Sequence, residues 1–526
     1  MPTSAASTFA GERVSRPAIV FIGFMGAGKS TATAAVGELT GRAEDIDDLI
    51  VARVGMPVRD FFDARGEEAF REVEREVAVG LLREADGGAI ALGGGSALSA
   101  EVGAELGRHI VVWLDVDADT AWERVSTGDE RPLVARGREA FDSLFAARRP
   151  RYEELADAVL PVGDGGMILR ALRSIQALAD LPSGARMLWA TSASGEYPVV
   201  VGRGLLGAGW WPLGERRFGI TDTAVAPLYA DRLPPLESLV EIPPGEEAKT
   251  MAEAERVLRE LARAGMSRED HVVALGGGVV GDLAGFCAHT YQRGVPVVQV
   301  PTTLVSQVDS AYGGKTGVDL PEGKNYAGAY HLPAAVIADT GTLATLPAEE
   351  LAAGFVEVLK TGLLAGGSLW ERVRAIGPLD PAELDDVIFA CARHKCEVVA
   401  ADERDAGLRH TLNFGHTVGH AIEAASGYAR YRHGEAVGLG LLAALRLSEA
   451  PELREEVGGL LAAHGLPVEL ERKIEIAAIL DALQRDKKRT AAGVGFVLLA
   501  APGAPRVGQK VDPAKVRLAV EELYER

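Results

Sequence analysis

The chain has 526 residues, 47% of them hydrophobic and 25% charged, the balance of a globular protein with a sizeable core; collagen, coiled coil and disorder are excluded. Its net charge of −20, from 55 basic and 75 acidic residues, gives no global attraction to nucleic acid or to an anionic membrane, so any anionic substrate must be met by basic groups gathered in clefts. Three cysteines, Cys287, Cys391 and Cys396, are too few and wrongly spaced for a disulfide framework or a metal knuckle, and no apolar run reaches the ~18 residues of a membrane span.

Residues 1–16 are rich in Ser, Thr and Ala and read as a flexible tail. From Pro17 to Asp180 short apolar runs alternate with helical stretches. Ala18–Phe24, Ala89–Leu92 and Ile110–Val116 read as buried parallel strands. Between the first two, Phe70, Val73, Val77 and Leu81 recur at the spacing of one amphipathic helix. This alternation predicts a parallel α/β sheet over 17–180. The apolar stretch ending at Ala27 has no small-residue cleavage site behind it and runs straight into Gly28-Lys29-Ser30. It therefore reads as a strand and not a signal peptide, and the protein as cytoplasmic.

Pro182-Ser183-Gly184 breaks the last helix of this part and makes 181–187 a linker. Strand-like segments resume at Tyr197–Val201, Phe218–Thr221, His271–Leu275 and Val297–Val300, giving an α/β part over 188–345. From 346 to 526, Ala/Leu/Glu-rich helical segments dominate, apart from a strand around Val494–Leu499.

In the first half, Gly23-Phe-Met-Gly-Ala-Gly28-Lys29-Ser30 fits G-x-x-x-x-G-K-[ST] between a strand and a helix. Glycines such as Gly26 and Gly28 let backbone N–H groups curl around a phosphate. The helix start at Ser30 and Thr31 adds partial positive charge, Lys29 balances the β/γ charge, and the Ser30 hydroxyl suits Mg²⁺. Asp45-Ile46-Asp47 places two carboxylates at the rim of the second strand, where a polar turn or helix cap is the competing reading. Arg71 lies one step off the apolar stripe, Gly93-Gly94-Gly95 follows a strand, and Arg131-Pro132-Leu133 and Arg148 come later.

In their order, these elements resemble shikimate kinase. The resemblance implies a five-stranded P-loop fold with a mobile lid near Thr127–Arg138, using ATP with Mg²⁺. It implies that Asp47, Arg71, Arg148 and Gly93, Gly94 and Gly95 hold shikimate, Asp47 orienting its 3-hydroxyl and accepting the proton. Asp45 and Ser30 would serve Mg²⁺, Lys29 and Arg131 the transferring phosphoryl group, and Arg124 the adenine. Phosphoryl transfer needs mainly alignment and charge neutralisation, and a carboxylate substrate suits arginine forks.

In the second half, Gly276-Gly277-Gly278-Val279-Val280-Gly281-Asp282 contains G-x-G-x-x-G after a strand, but the acidic residue expected ~20 positions on is not evident, so spacing alone indicates a diphosphate-facing loop. His416 and His420 stand at i, i+4 on one helix face, His433 follows, and Glu357 lies upstream. A His₂Glu set with an open position is a catalytic Zn²⁺ arrangement; spacing leaves open which two of the three histidines bind. Lys315, Lys324, Lys360, Lys395, Arg293 and Arg409 among polar motifs point to an anionic substrate.

This half resembles 3-dehydroquinate synthase from about Glu196 onward. That family uses NAD and a divalent metal, Zn²⁺ or Co²⁺, and the resemblance implies an α/β nucleotide-binding domain followed by a mostly helical metal-binding domain. Carried over by position, Glu357, His416 and His433 bind the metal. Asp222, Glu246, Lys249, Gly277, Gly278, Val279, Asp282, Thr302, Thr303, Lys324, Thr342 and Thr345 line the NAD site. Asp309, Lys315, Asn325, Lys360, Lys395, Arg409, Asn413, His416, His433 and Lys487 of Asp486-Lys487-Lys488 surround the substrate. Arg293 reaches a phosphate from the neighbouring subunit of a homodimer, and His420 and Lys360 assist the chemistry. Where the family pattern has glutamate four residues before the arginine, this chain has Asp405, a carboxylate one methylene shorter.

The implied whole is a bifunctional enzyme of aromatic biosynthesis. It phosphorylates shikimate and converts 3-deoxy-D-arabino-heptulosonate 7-phosphate to 3-dehydroquinate and phosphate, with small-molecule substrates only. The alternatives are another sugar-phosphate cyclase or a polyol dehydrogenase in the second half, and a non-catalytic nucleotide-binding module in the first.

Overall fold

The computed structural model describes residues 18–127, 137–163, 166–214, 216–427, 430–489 and 495–524. They fall into two compact units, one within Met1–Ala190 and Pro198–Pro212, the other within Thr191–Tyr197 and Leu213–Arg526. Among the described residues no helix is long and apolar enough to cross a membrane.

The first unit is built on β1 (Ile19–Ile22), β2 (Ala43–Asp45), β3 (Ala89–Ala91), β4 (Ile110–Asp115) and β5 (Ala158–Pro161). Their order is β2-β3-β1-β4-β5, and every neighbouring pair is parallel. All four residues of β1, Ile-Val-Phe-Ile, are buried, because a central parallel strand is covered on both faces. The loop after β1 ends at Gly28, which is left-handed at φ 87° and opens the helix Lys29–Thr40.

The segment 181–187, expected as a linker, belongs to this unit. Ala185 N–H donates to the Pro182 carbonyl at 3.1 Å, closing a turn, and Leu181, Ala185 and Met187 are buried. The turn leads directly into β6 (Arg186–Ser192), whose Met187 and Leu188 pair in parallel with Ala158 and Val159 of β5. The preceding helix already ends at Ala177, and the proline and glycine turn does not release the chain, since the residues that follow are apolar and have a strand edge to join. A further strand, β7 (Gly195–Gly202), comes next.

A second correction concerns the helix Val58–Glu84, which is broken at Gly66 (φ 82°). Its buried line is Phe70, Glu74, Ala78 and Leu82; Val73, Val77 and Leu81 of the expected stripe are only half-buried. A carboxylate occupies the buried line because it is satisfied there. The Ser96 hydroxyl donates to Glu74 Oε1 at 2.9 Å and Arg71 Nη1 to Oε2 at 2.5 Å.

The second unit carries β8 (Arg217–Asp222), β9 (Ser238–Ile242), β10 (His271–Gly276), β11 (Val297–Pro301), the antiparallel pair β12 (Lys315–Leu320) and β13 (Gly323–Tyr330), and β14 (Ala335–Asp339). Strands β14-β11-β10-β8-β9 form a parallel array in that order. Its core gathers Phe218, Ile220, Val257, Leu283 and Val297, all fully buried. Helices dominate after Thr345, with one late hairpin of β15 (Phe496–Leu499) and β16 (Pro505–Gln509).

Three of those helices, Ala348–Ala365, His416–Ala425 and His433–Leu447, approach backbone to backbone. A Cβ at Gly434 would collide with the Ala353 carbonyl, and one at Gly440 with the Gly415 carbonyl. Gly440→Ala is therefore expected to destabilise the second unit by about 1–3 kcal/mol through overpacking. Gly459→Ala, whose Cβ would meet nothing within 4 Å in an exposed helical turn, should leave thermal unfolding unchanged or raise its midpoint. Equal midpoints for the two variants would contradict the close approach.

Candidate active sites

The loop 23–30 wraps one end of a cavity of about 1020 Å³ in the first unit. Its lining brings together Gly26, Gly28, Lys29, Ser30, Thr31, Asp45, Asp47, Arg71, Gly93, Gly94, Gly95, Arg124 and Arg148. Arg131 lies outside the described residues, as does most of the expected lid. Lys29 Nζ donates to the carbonyls of Gly23 and Phe24 at 3.0 and 3.1 Å, so the ammonium lies against its own loop. Asp45 serves both readings weighed for it: its carboxylate caps the helix Ile46–Val54 by accepting from Asp47 N–H at 3.0 Å, and it also faces the cavity. Asp47, the second residue of that helix, projects from an exposed position on the rim.

The opposite wall is cationic. Arg148 is 6% exposed, its guanidinium sits 5.7 Å from the Phe24 ring centroid, and its Nε has no hydrogen-bond partner. A buried, unsatisfied guanidinium N–H facing a cavity is a donor set fitted to an anion. Arg71 is held against Gly95, where any Cβ would strike the guanidinium. Sequence reasoning missed two supports. Glu74 anchors Arg71, and the Tyr152 hydroxyl donates to the Gly94 carbonyl at 2.5 Å; burial pushes that phenol up to about 12 despite the nearby Arg148. The Arg71–Glu74 spacing of three was the one local signal; the long-range contacts had none.

In the second unit, Glu357, His416 and His433 each offer one ligand atom, all within 4.8 Å of one another. Glu357 Oε1 lies 3.6 Å from His416 Nε2 and 3.5 Å from His433 Nε2. The carboxylate is 1% exposed, and neither oxygen accepts a hydrogen bond of sound geometry, although Lys360 Nζ stands 2.5 Å from Oε2. A dry carboxylate turned toward two imidazoles fits a divalent cation. Burial pushes His416 down to about 3, assisted by the Lys360 ammonium. For His433 burial acts the same way, but Glu357 and Glu423 outweigh it and raise the imidazole to about 9. His420 stands beside the set, its ring centroid 5.3 Å from that of His416.

Next to the trio, Asp309 accepts from Lys360 Nζ at 3.0 Å and from Lys395 Nζ at shorter range. Burial alone would raise the Asp309 carboxyl, but the two ammonium groups hold it down at about 2. Lys395 is shifted downward, burial outweighing Asp309. Arg409 is buried and donates to the Glu403 and Gly313 carbonyls at 2.7 and 3.2 Å. Asp405 is left-handed at φ 62° and pairs with Lys315. Asp402, which sequence reasoning missed, gathers the N–H groups of Ala406, Gly407 and Arg409 at 2.8, 2.8 and 3.0 Å and shapes this loop. Asn413 is exposed at the end of the short helix Leu408–Asn413, and Asn325 N–H donates to Asp319 at 2.7 Å. The Lys487 side chain lies outside the described residues.

The glycine turn opens the helix Gly278–Thr290 at the end of β10. A Cβ at Gly277 would come within 2.9 Å of Thr303 Cγ2, and one at Gly278 within 3.2 Å of Ser310 Oγ, so the main chain here is kept bare. Lys249 Nζ is 2.7 Å from Asp282, and Lys324 Nζ is 3.7 Å from Glu246. The Asp222 carboxylate caps the turn after β8, accepting from Ala224 and Val225 at 2.9 Å. Thr302 N–H donates to the Gly276 carbonyl, and Val279 packs on the core. Two expected lining hydroxyls are engaged in the fold itself: Thr342 Oγ1 with Asp339 and Gln307, and Thr345 Oγ1 with Tyr229. Arg293 is exposed in the turn Tyr291–Arg293, where Gln292 and Arg293 are both left-handed.

Three family models match the chain in tandem: shikimate kinase over residues 25–170, 3-dehydroquinate synthase N-terminal over 239–353, and 3-dehydroquinate synthase C-terminal over 354–489. A 3-dehydroquinate synthase of Symbiobacterium thermophilum is 44% identical over 350 residues, covering 62% of this chain and 98% of the relative. Among solved structures, 2-deoxy-scyllo-inosose synthase complexed with carbaglucose-6-phosphate, NAD⁺ and Co²⁺ is similar at 25% identity and a TM-score of 0.58, over 64% of this chain and 99% of that one. For 2-epi-5-epi-valiolone synthase from Streptomyces hygroscopicus subsp. jinggangensis 5008, with NAD⁺ and Zn²⁺ bound, the identity is 29% and the TM-score 0.55, over 62% of this chain and 96% of that one.

Proposed function

The chain belongs to the 3-dehydroquinate synthase family, with a shikimate kinase unit preceding it in sequence, and from that premise we propose how its residues divide the work of one bifunctional enzyme, a kinase and a phosphate lyase. The observation that carries the reading furthest is the convergence of Glu357, His416 and His433 around an unsatisfied buried carboxylate.

In the kinase unit, the amides of 26–31 and Lys29 hold the phosphates of ATP, and Ser30 and Asp45 would hold Mg²⁺, which would supply charge neutralisation on them. Arg71 and Arg148 grip the shikimate carboxylate from the buried wall, with Glu74 fixing Arg71. Asp47, on the rim, orients the 3-hydroxyl and takes its proton as the phosphoryl group transfers. Arg124 packs near adenine. Arg131 steadies the transferring group.

In the synthase unit, Glu357, His416 and His433 would hold Zn²⁺ or Co²⁺, which would supply Lewis acidity to the substrate's hydroxyl groups. Gly277, Gly278, Asp282, Lys249, Glu246 and Lys324 would hold NAD, which would supply reversible hydride acceptance for a redox-neutral conversion of 3-deoxy-D-arabino-heptulosonate 7-phosphate to 3-dehydroquinate and phosphate. Lys395, Arg409 and Asn413 receive the carboxylate. Asp309 holds Lys360 and Lys395 side by side through its two carboxylate oxygens. Lys315, paired with Asp405, faces the same loop, and His420 assists proton transfer. Asn325 and Lys487 complete the pocket. The exposed Arg293 in its strained turn suits a homodimer in which it reaches the neighbouring subunit's phosphate site. The enzyme works in the cytoplasm.

Both reactions should be assayed on the chain dialysed against chelator. Expected are loss of the synthase reaction, its recovery with Zn²⁺ or Co²⁺, and a kinase that needs Mg²⁺ alone. Net NADH accumulation would indicate a polyol dehydrogenase instead, and phosphate release from sedoheptulose 7-phosphate another cyclase. Nucleotide binding without shikimate-dependent turnover would make the first unit a non-catalytic module.

A further inference from the structure

His433 lies between two carboxylates. Its Nε2 is 3.5 Å from Glu357 Oε1 and its Nδ1 is 3.5 Å from Glu423 Oε1. Glu423 sits on the helix His416–Ala425, seven residues after His416 and three after His420, and is 4% exposed. We propose that Glu423 is a positioning residue for the metal centre: it fixes the proton of His433 on Nδ1 and so presents a bare Nε2 to the cation. This rests on the metal reading above.

A neutral imidazole carries one N–H and one lone pair, and a metal takes the lone pair. The tautomer is therefore decided by what faces the other nitrogen. For His416 that partner is a main-chain carbonyl, since Nδ1 stands 3.2 Å from the Phe414 oxygen while Nε2 points at Glu357. For His433 the partner is Glu423. Both imidazoles thus turn Nε2 to Glu357 and Nδ1 to an acceptor. A separation of 3.5 Å is at the outer edge of hydrogen bonding, but an ionised carboxylate is acceptor-only; Glu357 and Glu423 draw on the two ring nitrogens at equal range, and once a cation takes the Nε2 lone pair only Glu423 is left to receive the remaining proton, on Nδ1.

Lys324 Nζ lies 3.6 Å from Glu423 Oε1 and 3.7 Å from Glu246 Oε1. The same carboxylate therefore connects the helix that carries His416 to β13, which carries Lys324. Glu423, His420 and His433 also offer ligand atoms within 4.8 Å of one another. The orienting role is favoured over a second cation seat there because His433 cannot direct Nε2 to Glu357 and also leave Nδ1 bare.

The test compares Glu423→Ala and Glu423→Gln in the full chain, stripped of metal and titrated with Co²⁺ while the visible ligand-field spectrum is followed. Expected for Glu423→Ala is about 10–100-fold weaker Co²⁺ binding with an altered spectrum. Glu423→Gln, whose amide oxygen still accepts from Nδ1–H, should recover most of the affinity and the native spectrum. Unchanged kinase activity and thermal unfolding serve as folding controls. Affinity for Glu423→Ala within threefold of the parent, an equal loss for Gln and Ala, or two Co²⁺ per parent chain falling to one in Glu423→Ala would each overturn the proposal. If Glu357→Gln abolishes Co²⁺ binding and Glu423→Ala does not, only this inference fails; if neither variant matters, the metal reading fails with it.

Discussion

Glu357→Gln should remove the synthase reaction while shikimate phosphorylation stays within about twofold of the parent. Glutamine keeps the volume of the side chain in the helix Ala348–Ala365, so packing is conserved; what disappears is the charge. Three cationic or cation-seeking groups depend on that charge: Lys360 at 2.5 Å, His433 at 3.5 Å and His416 at 3.6 Å. Removing one partner of a buried charge set costs about 3–5 kcal/mol. Expressed in metal affinity, that is roughly 10²–10⁴-fold.

Co²⁺ titration of the stripped variant reads this loss directly. Phosphate release from the heptulosonate should fall in parallel and be recovered only partly by excess metal. The variant also leaves Lys360 with Asp309 as its remaining counter-charge, so unfolding of the second unit should shift downward even without metal. A variant that turns over the heptulosonate within tenfold of the parent would show that the cation, if required, sits elsewhere.

The phosphate loop was readable because strand, glycines and helix are consecutive, and the order of chemistry along the chain needs no knowledge of the fold. From spacing the metal trio was readable only as a choice among three histidines, because i, i+4 pairs His416 with His420; the family resemblance, and not the spacing, singled out His416 and His433. It is the packing of the helix His433–Leu447 on the Glu357 helix, through Gly434, that brings His433 to Glu357. Glu74 and Glu423 were hidden for a common reason. Each is a carboxylate buried within a helix, and its partners (Ser96 for one, His433 and Lys324 for the other) come from distant segments. The expected linker shows the limit from the other side: Pro182 and Gly184 do make a turn, but whether the following strand finds an edge depends on β5, which local composition does not reveal.

The departure at Asp405 also acquires a physical reason. That residue is left-handed at φ 62°, a conformation in which aspartate is several-fold enriched among non-glycine residues. The loop around it is drawn in by Asp402 through three N–H groups. A short carboxylate fits this tight turn and still reaches Lys315.

Asp47→Asn should abolish most shikimate-dependent ATP turnover while leaving nucleotide binding and the synthase reaction in place. The loss expected from removing a general base is about 10²–10⁴-fold in kcat. Asparagine preserves the size of the side chain and the N–H that donates to Asp45, so the cap of the helix Ile46–Val54 survives. Losing one acidic charge from the first helical turn costs about 0.3–1 kcal/mol, a small effect on thermal unfolding. Shikimate KM should change little, because Arg71 and Arg148, the groups proposed to receive its carboxylate, are left untouched in the same cavity. Arg148→Gln should do the reverse, raising KM by removing a buried donor whose Nε has no other partner, with a smaller effect on kcat. If Asp47→Asn kept kcat within tenfold of the parent, the proton would have to leave by another route. If both variants changed KM alone, the rim carboxylate would be a binding group, and the catalytic burden would rest on Lys29 and the phosphate-facing amides.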